Sequence, residues 1–175
     1  MGTEPRGARA PLKRLLPGLV VGGIISLAGL LPALALERGV DPEVAAILAI
    51  AHPGEKLAKL RAHPHPQAQF LWAIFRDVFH YCAHQLAAIA DNARDVDLAI
   101  RWGFGWQMGP FETWQAAGWA EVAGWIAEDV AAKKSLAAVP LPAWVSGAKV
   151  GAAKGVHAPG GAYSAASPAL PACRL

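Results

Sequence analysis

Between Gln67 and Asp91 apolar side chains recur at helical spacing. Leu71, Ile74, Val78, Cys82, Leu86 and Ile89 return every three or four residues, and Phe70, Phe75, Phe79 and Tyr81 widen the stripe. A helix over this run is roughly 36 Å long. Its apolar face must be covered, so the remaining elements have to be laid against it. Those elements also read as helices, and the fold class expected is all-α.

The helices before the long one are short and begin at prolines. Asp41-Pro42-Glu43 supplies a capping oxygen, a residue with its φ already set, and an acid at the positive end of the helix dipole. The apolar positions Val44, Ile47 and Leu48 follow. Pro53 and Glu55 open a second short helix through Leu57 and Leu60, and Pro64 and Pro66 end it. Beyond the long helix, Asp95 is expected to cap Val96 to Trp102, with Gly103 as the stop. Pro110 to Ala117 and Trp119 to Lys134 read as two helices separated by Gly118. In the second, Glu121, Glu128 and Asp129 sit away from Val122, Trp125, Ile126 and Val130. Leu141 to Val145 reads as an extended clip with Trp144 packing back on the bundle.

The stretch from Arg101 to Trp114, RWGFGWQMGPFETW, holds four glycines or prolines and five aromatic rings. Gly103, Gly105 and Gly109 permit backbone angles and close approaches closed to other residues. Pro110 suits the first turn of the next helix, and Phe111 follows it. The stretch is expected to form a rigid aromatic corner between two helices, either a packed hinge or the wall of a cleft.

The chain is 54% apolar and only 17% charged, against a length of 175 residues that suits one domain. Much of the apolar excess lies in Leu15–Leu36, which carries no charge and is long enough to cross a bilayer. Arg6, Arg9, Lys13 and Arg14 precede it, within a polar segment of residues 1 to 14 that has no periodicity. Three readings stay open: a membrane helix, a secretory signal with Ala33-Leu34-Ala35 as a small-x-small cleavage site, or sequence that is not native. Residues 146–175 are Ala, Gly, Pro and Ser with few large apolar side chains, and are expected to form a disordered tail or linker. The net charge of +3 is modest and no basic stripe is interleaved with aromatics, which argues against nucleic acid as a partner. Cys82 and Cys173 suggest neither a disulfide framework nor a zinc motif.

No set of residues assembles into a catalytic centre by spacing. His80 and His84 share a helix face but have no third metal ligand, and His63 and His65 lie between prolines. Asp95 reads as a cap and Asp97 as a solvated or ion-paired first-turn residue. Glu112 answers to the helix dipole, and Arg76 and Asp77 read as exposed helix positions. There is no glycine-rich phosphate loop after a strand and no Gly-x-Ser-x-Gly elbow. No catalytic, cofactor-binding or metal-ligating residue is assigned.

The run PQAQFLWAIFRDVFHYCAHQLAAIADNARDVDLAIRWGFGWQMGPFETWQAAGW, followed by LPAWV, resembles the second C-terminal helical domain of bacterial 3-hydroxyacyl-CoA dehydrogenases, especially the bifunctional proteins fused to an enoyl-CoA hydratase. The resemblance spans residues 40–145. It implies a small orthogonal helical bundle of the kind found at the C-terminus of 6-phosphogluconate dehydrogenase. It also implies a part in fatty-acid β-oxidation, the NAD-dependent oxidation of 3-hydroxyacyl-CoA. In that family NAD and the catalytic His–Glu pair belong to a Rossmann domain, whose pattern does not appear in this chain. The helical domain contributes packing, domain association and acyl-CoA cleft surface. Gly103, Gly105, Gly109, Pro110 and Phe111 are therefore expected to be structural or cleft-lining.

The resemblance implies a cytoplasmic protein, with the inner membrane as the alternative if Leu15–Leu36 is a true anchor. Because the family is soluble, it favours a spurious or frame-shifted N-terminus. The leading expectation is a fragment of a dehydrogenase without turnover of its own. A membrane-tethered docking module and a stand-alone acyl-CoA-binding domain are the other two.

Overall fold

The computed structural model describes residues 39–165. The polar start, the apolar block Leu15–Leu36, Cys173 and the last part of the expected tail lie outside them. Six helices and a two-stranded hairpin make up the described chain: α1 (Pro42–Leu48), α2 (Pro53–Ala62), α3 (Pro66–Ile89), α4 (Ala93–Phe104), α5 (Pro110–Ala131), a 3-10 turn (Ala143–Ser146), α6 (Ala148–Ala153), β1 (His157–Ala158) and β2 (Gly161–Ala162). The fold is all-α in class, with the small hairpin as an appendage. No helix among the described residues is long and apolar enough to cross a membrane.

Local chemistry starts each of the first three helices in the same way, with a capping side chain and then proline. Asp41 Oδ1 accepts from the amides of Glu43 and Val44, and Pro42 follows it. His52 and His65 cap α2 and α3 through Nδ1, each followed by proline. His63 turns back to Glu43, its Nε2 3.1 Å from Oε2, so both turn histidines tie short helices together.

The core lies where α2, α3 and α4 pack on α5. Val44, Leu57, Leu60, Phe79, Leu86, Phe111, Trp114, Val122 and Ile126 are fully buried there. Burial of each large side chain contributes roughly 1.5–3 kcal/mol. The stripe on α3 is narrower than its composition suggests: Phe70, Tyr81 and Ile89 are exposed, whereas Arg76 is buried.

Two sequence boundaries move. The helix read as Val96 to Trp102 runs from Ala93 to Phe104, because Asn92, not Asp95, is its cap. Asn92 Oδ1 accepts from the Asp95 amide at 3.3 Å, and Asn92 Nδ2 donates back to Asp95 Oδ2 at 2.8 Å. The two helices read on either side of Gly118 are continuous in space but kinked there, with Gly118 at φ 100 and ψ 91. This φ lies in the region open to glycine.

The expected tail is corrected over most of its length. From Gly147 the chain forms α6, reverses at Lys154 and Gly155, and returns as the hairpin. Val150, Val156 and Tyr163 are buried in the same core. A few well-placed apolar side chains are enough, because Trp144 and Gln115 offer them a prepared surface.

Candidate functional site

The aromatic corner is organised by a buried carboxylate. α4 places Asp97 against the start of α5, where it is wholly excluded from solvent. Its Oδ1 accepts the Phe111 amide at 2.8 Å, and its Oδ2 accepts the Glu112 amide at 3.2 Å. His157 Nε2 lies 2.7 Å from the same Oδ2. Asp97 thus caps α5 from a distant point in the chain, and the solvated position expected for it is corrected. Its side-chain partner is His157, at hydrogen-bond distance. Burial raises the Asp97 pKa above its ordinary 3.8, against the hydrogen bonds from His157 and Phe111 that lower it.

Glu112 completes the capping. Its Oε2 accepts the Gly109 amide at 2.8 Å, while Arg101 Nη1 donates to Oε1 at 3.1 Å. The glycines differ in their reasons. Gly105 ends α4 in the left-handed region, with φ 70. A Cβ on Gly109 would stand 2.4 Å from Asp97 Cα, so the two strands of the corner approach closely only without it. Gly103 is helical, and a Cβ there would meet open space. Pro110 is the first residue of α5 and Phe111 is fully buried beneath it.

Behind the corner runs a column of rings. Phe79 stacks on Trp114 at 5.5 Å, Trp114 on Trp119 at 4.1 Å, and Trp144 on Tyr163 at 4.7 Å; Trp119 and Trp144 join the two halves at 6.1 Å. Each indole nitrogen of the column donates to a carbonyl: Trp114 to Trp119, Trp119 to Val145, Trp144 to Ala83. Gln115 fixes the hairpin through both ends of its amide, to His157 O at 2.9 Å and from His157 N at 2.8 Å.

The other sequence candidates have structural partners. His80 and His84 donate Nε2 to the carbonyls of Val139 and Pro140 at 2.7 and 2.9 Å, strapping residues 139–140 onto α3. Arg76, expected on the exposed face, is buried and bonded to Asp77 and Asp129. Asp129 is buried as well, accepting from Trp72 Nε1 at 2.7 Å, although its position in the sequence placed it away from the apolar face. Burial pushes the Cys82 thiol up to about 12, which removes it as a nucleophile. Among the described residues no group of three or more His, Cys, Asp or Glu side chains is placed to hold a metal.

Two clefts are sizeable. One, of about 580 Å³, opens between α2, α3 and α5. The other, of about 540 Å³, lies between the end of α3 and α4 and is lined in part by exposed Ile89. Neither is lined by Gly103, Gly105, Gly109, Pro110 or Phe111. His157, Gln115 and Tyr163 were missed by sequence reading; the Pro159-Gly160 turn signal was a clue to the hairpin, but not to the partners that His157 and Gln115 find across it.

A probable 3-hydroxyacyl-CoA dehydrogenase of Bacillus subtilis (strain 168) is 39% identical to this chain over 71 residues. Part of the chain is related to that oxidoreductase. The match covers 34% of this chain and 9% of the length of the relative. No protein-family profile matches the chain, and no solved structure gives a significant match.

Proposed function

We propose that residues 40–145, with the α6–hairpin segment that packs on them, form a helical domain of an NAD-dependent 3-hydroxyacyl-CoA dehydrogenase of fatty-acid β-oxidation. The observation that carries this reading is the 39% identity over 71 residues to a probable enzyme of that kind. The all-α fold of the described chain is consistent with it. In this reading NAD and the proton-abstracting pair belong to a Rossmann domain supplied elsewhere. The helical domain supplies packing and cleft surface for the acyl-CoA, and Gly105, Gly109, Pro110 and Phe111 keep its corner rigid. The cellular setting that goes with this role is the cytoplasm.

In this reading the exposed apolar side chains Ile89, Trp102 and Phe104 are available to a partner domain. Trp102 is 80% exposed, at the outer edge of the corner. The test is direct. The purified chain, mixed with 3-hydroxybutyryl-CoA and NAD, is expected to form no NADH. NADH formation by the chain alone would overturn the division of labour. Acyl-CoA binding is read separately by calorimetry, where absence of heat at millimolar ligand would remove the cleft role.

A further inference from the structure

The cleft between α2, α3 and α5 contains two charged layers of different character. The inner layer is closed. Asp129 Oδ2 accepts from Trp72 Nε1 at 2.7 Å and from Arg76 Nη1 at 3.2 Å. Arg76 spends its Nε and Nη2 edge on both oxygens of Asp77, at 2.9 and 3.0 Å. Every nitrogen of this guanidinium is bonded, and the group is almost wholly buried.

The outer layer is left half-used. Arg61 presents the same edge, but only Nη2 is engaged, with Glu128 Oε2 at 2.5 Å and Asp129 Oδ1 more distant at 3.7 Å. Arg61 Nε is buried and has no acceptor. The guanidinium carbon lies 5.7 Å from the centre of the Trp125 ring, which supports its plane. Lys134 lines the same cleft, its backbone held by the Asp129 carbonyl at 2.9 Å after a left-handed turn at Lys133. Glu128 is 66% exposed, so its pair with Arg61 is screened by water and readily exchanged.

We propose that this cleft is a site for a phosphate group, free or as a phosphate ester. The oxyanion displaces Glu128 and takes both Arg61 Nε and Nη2, the side-on geometry that a guanidinium offers to two oxygens. Lys134 supplies the second positive charge and Trp125 the apolar wall. Asp129 stays bonded to Arg76 and Trp72 throughout, so the core does not move. The site does not depend on the dehydrogenase relationship.

The full chain is titrated with inorganic phosphate at constant ionic strength, following the arginine Nε–Hε resonances. One resonance, identified by its loss in Arg61→Gln, is expected to shift saturably. Arg61→Gln, which lacks that reporter and is followed through the Trp125 indole N–H resonance instead, should weaken binding roughly tenfold or more, the loss expected for a charge-assisted pair of bonds. Glu128→Gln removes the competitor from an exposed position and should tighten binding several-fold. Sodium chloride in place of phosphate should leave the resonance where it was. An absence of saturable shift well above millimolar phosphate overturns the proposal, as does weaker binding by Glu128→Gln. Coenzyme A, titrated in the same way, separates the sources. Binding much tighter than phosphate, with the same response to Glu128→Gln, assigns the site to an ester; equal affinity assigns it to the free anion.

Discussion

Phe111 donates its amide hydrogen to Asp97 Oδ1 at 2.8 Å, across a separation of 14 residues. The bond turns α4 into α5 and explains two features of the corner at once. The N-cap of α5 is Gly109, which has no side chain with which to accept from the helix. Asp97 does so from the preceding helix, and its approach is the reason that Gly109 has to lack a Cβ.

Removal of this carboxylate should therefore be costly. Asp97→Ala leaves two amides of α5 and His157 without their acceptor in a buried place. A loss of about 2–4 kcal/mol is expected, against about 1 kcal/mol for His157→Ala, whose ring is partly exposed. Urea unfolding of the two variants measures both, and equal effects would mean that the histidine, not the cap, is the main tie.

The pH dependence of this pair has a definite sign. Burial raises the folded pKa of Asp97 above 3.8, so the folded chain holds the proton more tightly than the unfolded chain. The stability linked to that proton is full below pH 3.8 and is lost as pH rises through the folded value. The stability advantage of the wild type over Asp97→Ala should shrink across that rise. An advantage that grows with pH would show that His157 and the two amides outweigh burial.

The glycines of the corner should respond in opposite directions. Gly109→Ala drives a methyl into Asp97 and should cost about 3 kcal/mol. Gly103→Ala enters open space within a helix and should stabilise by about 0.5–1 kcal/mol. Thermal unfolding of the pair compares them, and destabilisation by Gly103→Ala would reveal a backbone demand that its helical conformation does not show.

The segment after Gly147 should behave as part of the core. A chain ended at Gly147 uncovers Trp144 and loses the burial of Val150, Val156 and Tyr163. It should be less stable by at least about 3 kcal/mol than a chain ended at Ala165. Denaturant midpoints that coincide would return this segment to the status of a linker.

Cys82 should be silent in the folded state. With its thiol pushed up to about 12 and buried against α3's neighbours, it should react with a thiol reagent only as fast as the chain unfolds. Labelling in a Cys173→Ser background, followed by mass spectrometry with and without denaturant, gives the comparison. Rapid labelling without denaturant would mean that α3 opens locally.

The candidate residues of the sequence divided by range of interaction. Asp41, Pro42, Pro53, Gly118 and Trp144 were legible because their partners are a few residues away, or because one large ring must be buried somewhere; Pro66, read as the end of one helix, is the first residue of the next. Arg76 and Asp129 were read as lying away from the core, and Asp97 as solvated or ion-paired, whereas all three are buried. Their partners are 14, 53 and 57 residues distant, and a charged side chain in isolation carries no sign that such a partner exists. His157 was overlooked for the same reason, since its meaning comes from Asp97, 60 residues earlier.

By itself the sequence determined the all-α class, the long central helix, the proline-led helix starts and the aromatic corner, because these follow from periodicity and from backbone chemistry within a turn or two. Only the tertiary structure decided which charges go inside and that the Ala- and Gly-rich segment folds. Burial of a carboxylate or a guanidinium is tolerated only beside a partner, and a sparse apolar segment orders only on a surface already formed; both conditions are met by residues far away in the chain.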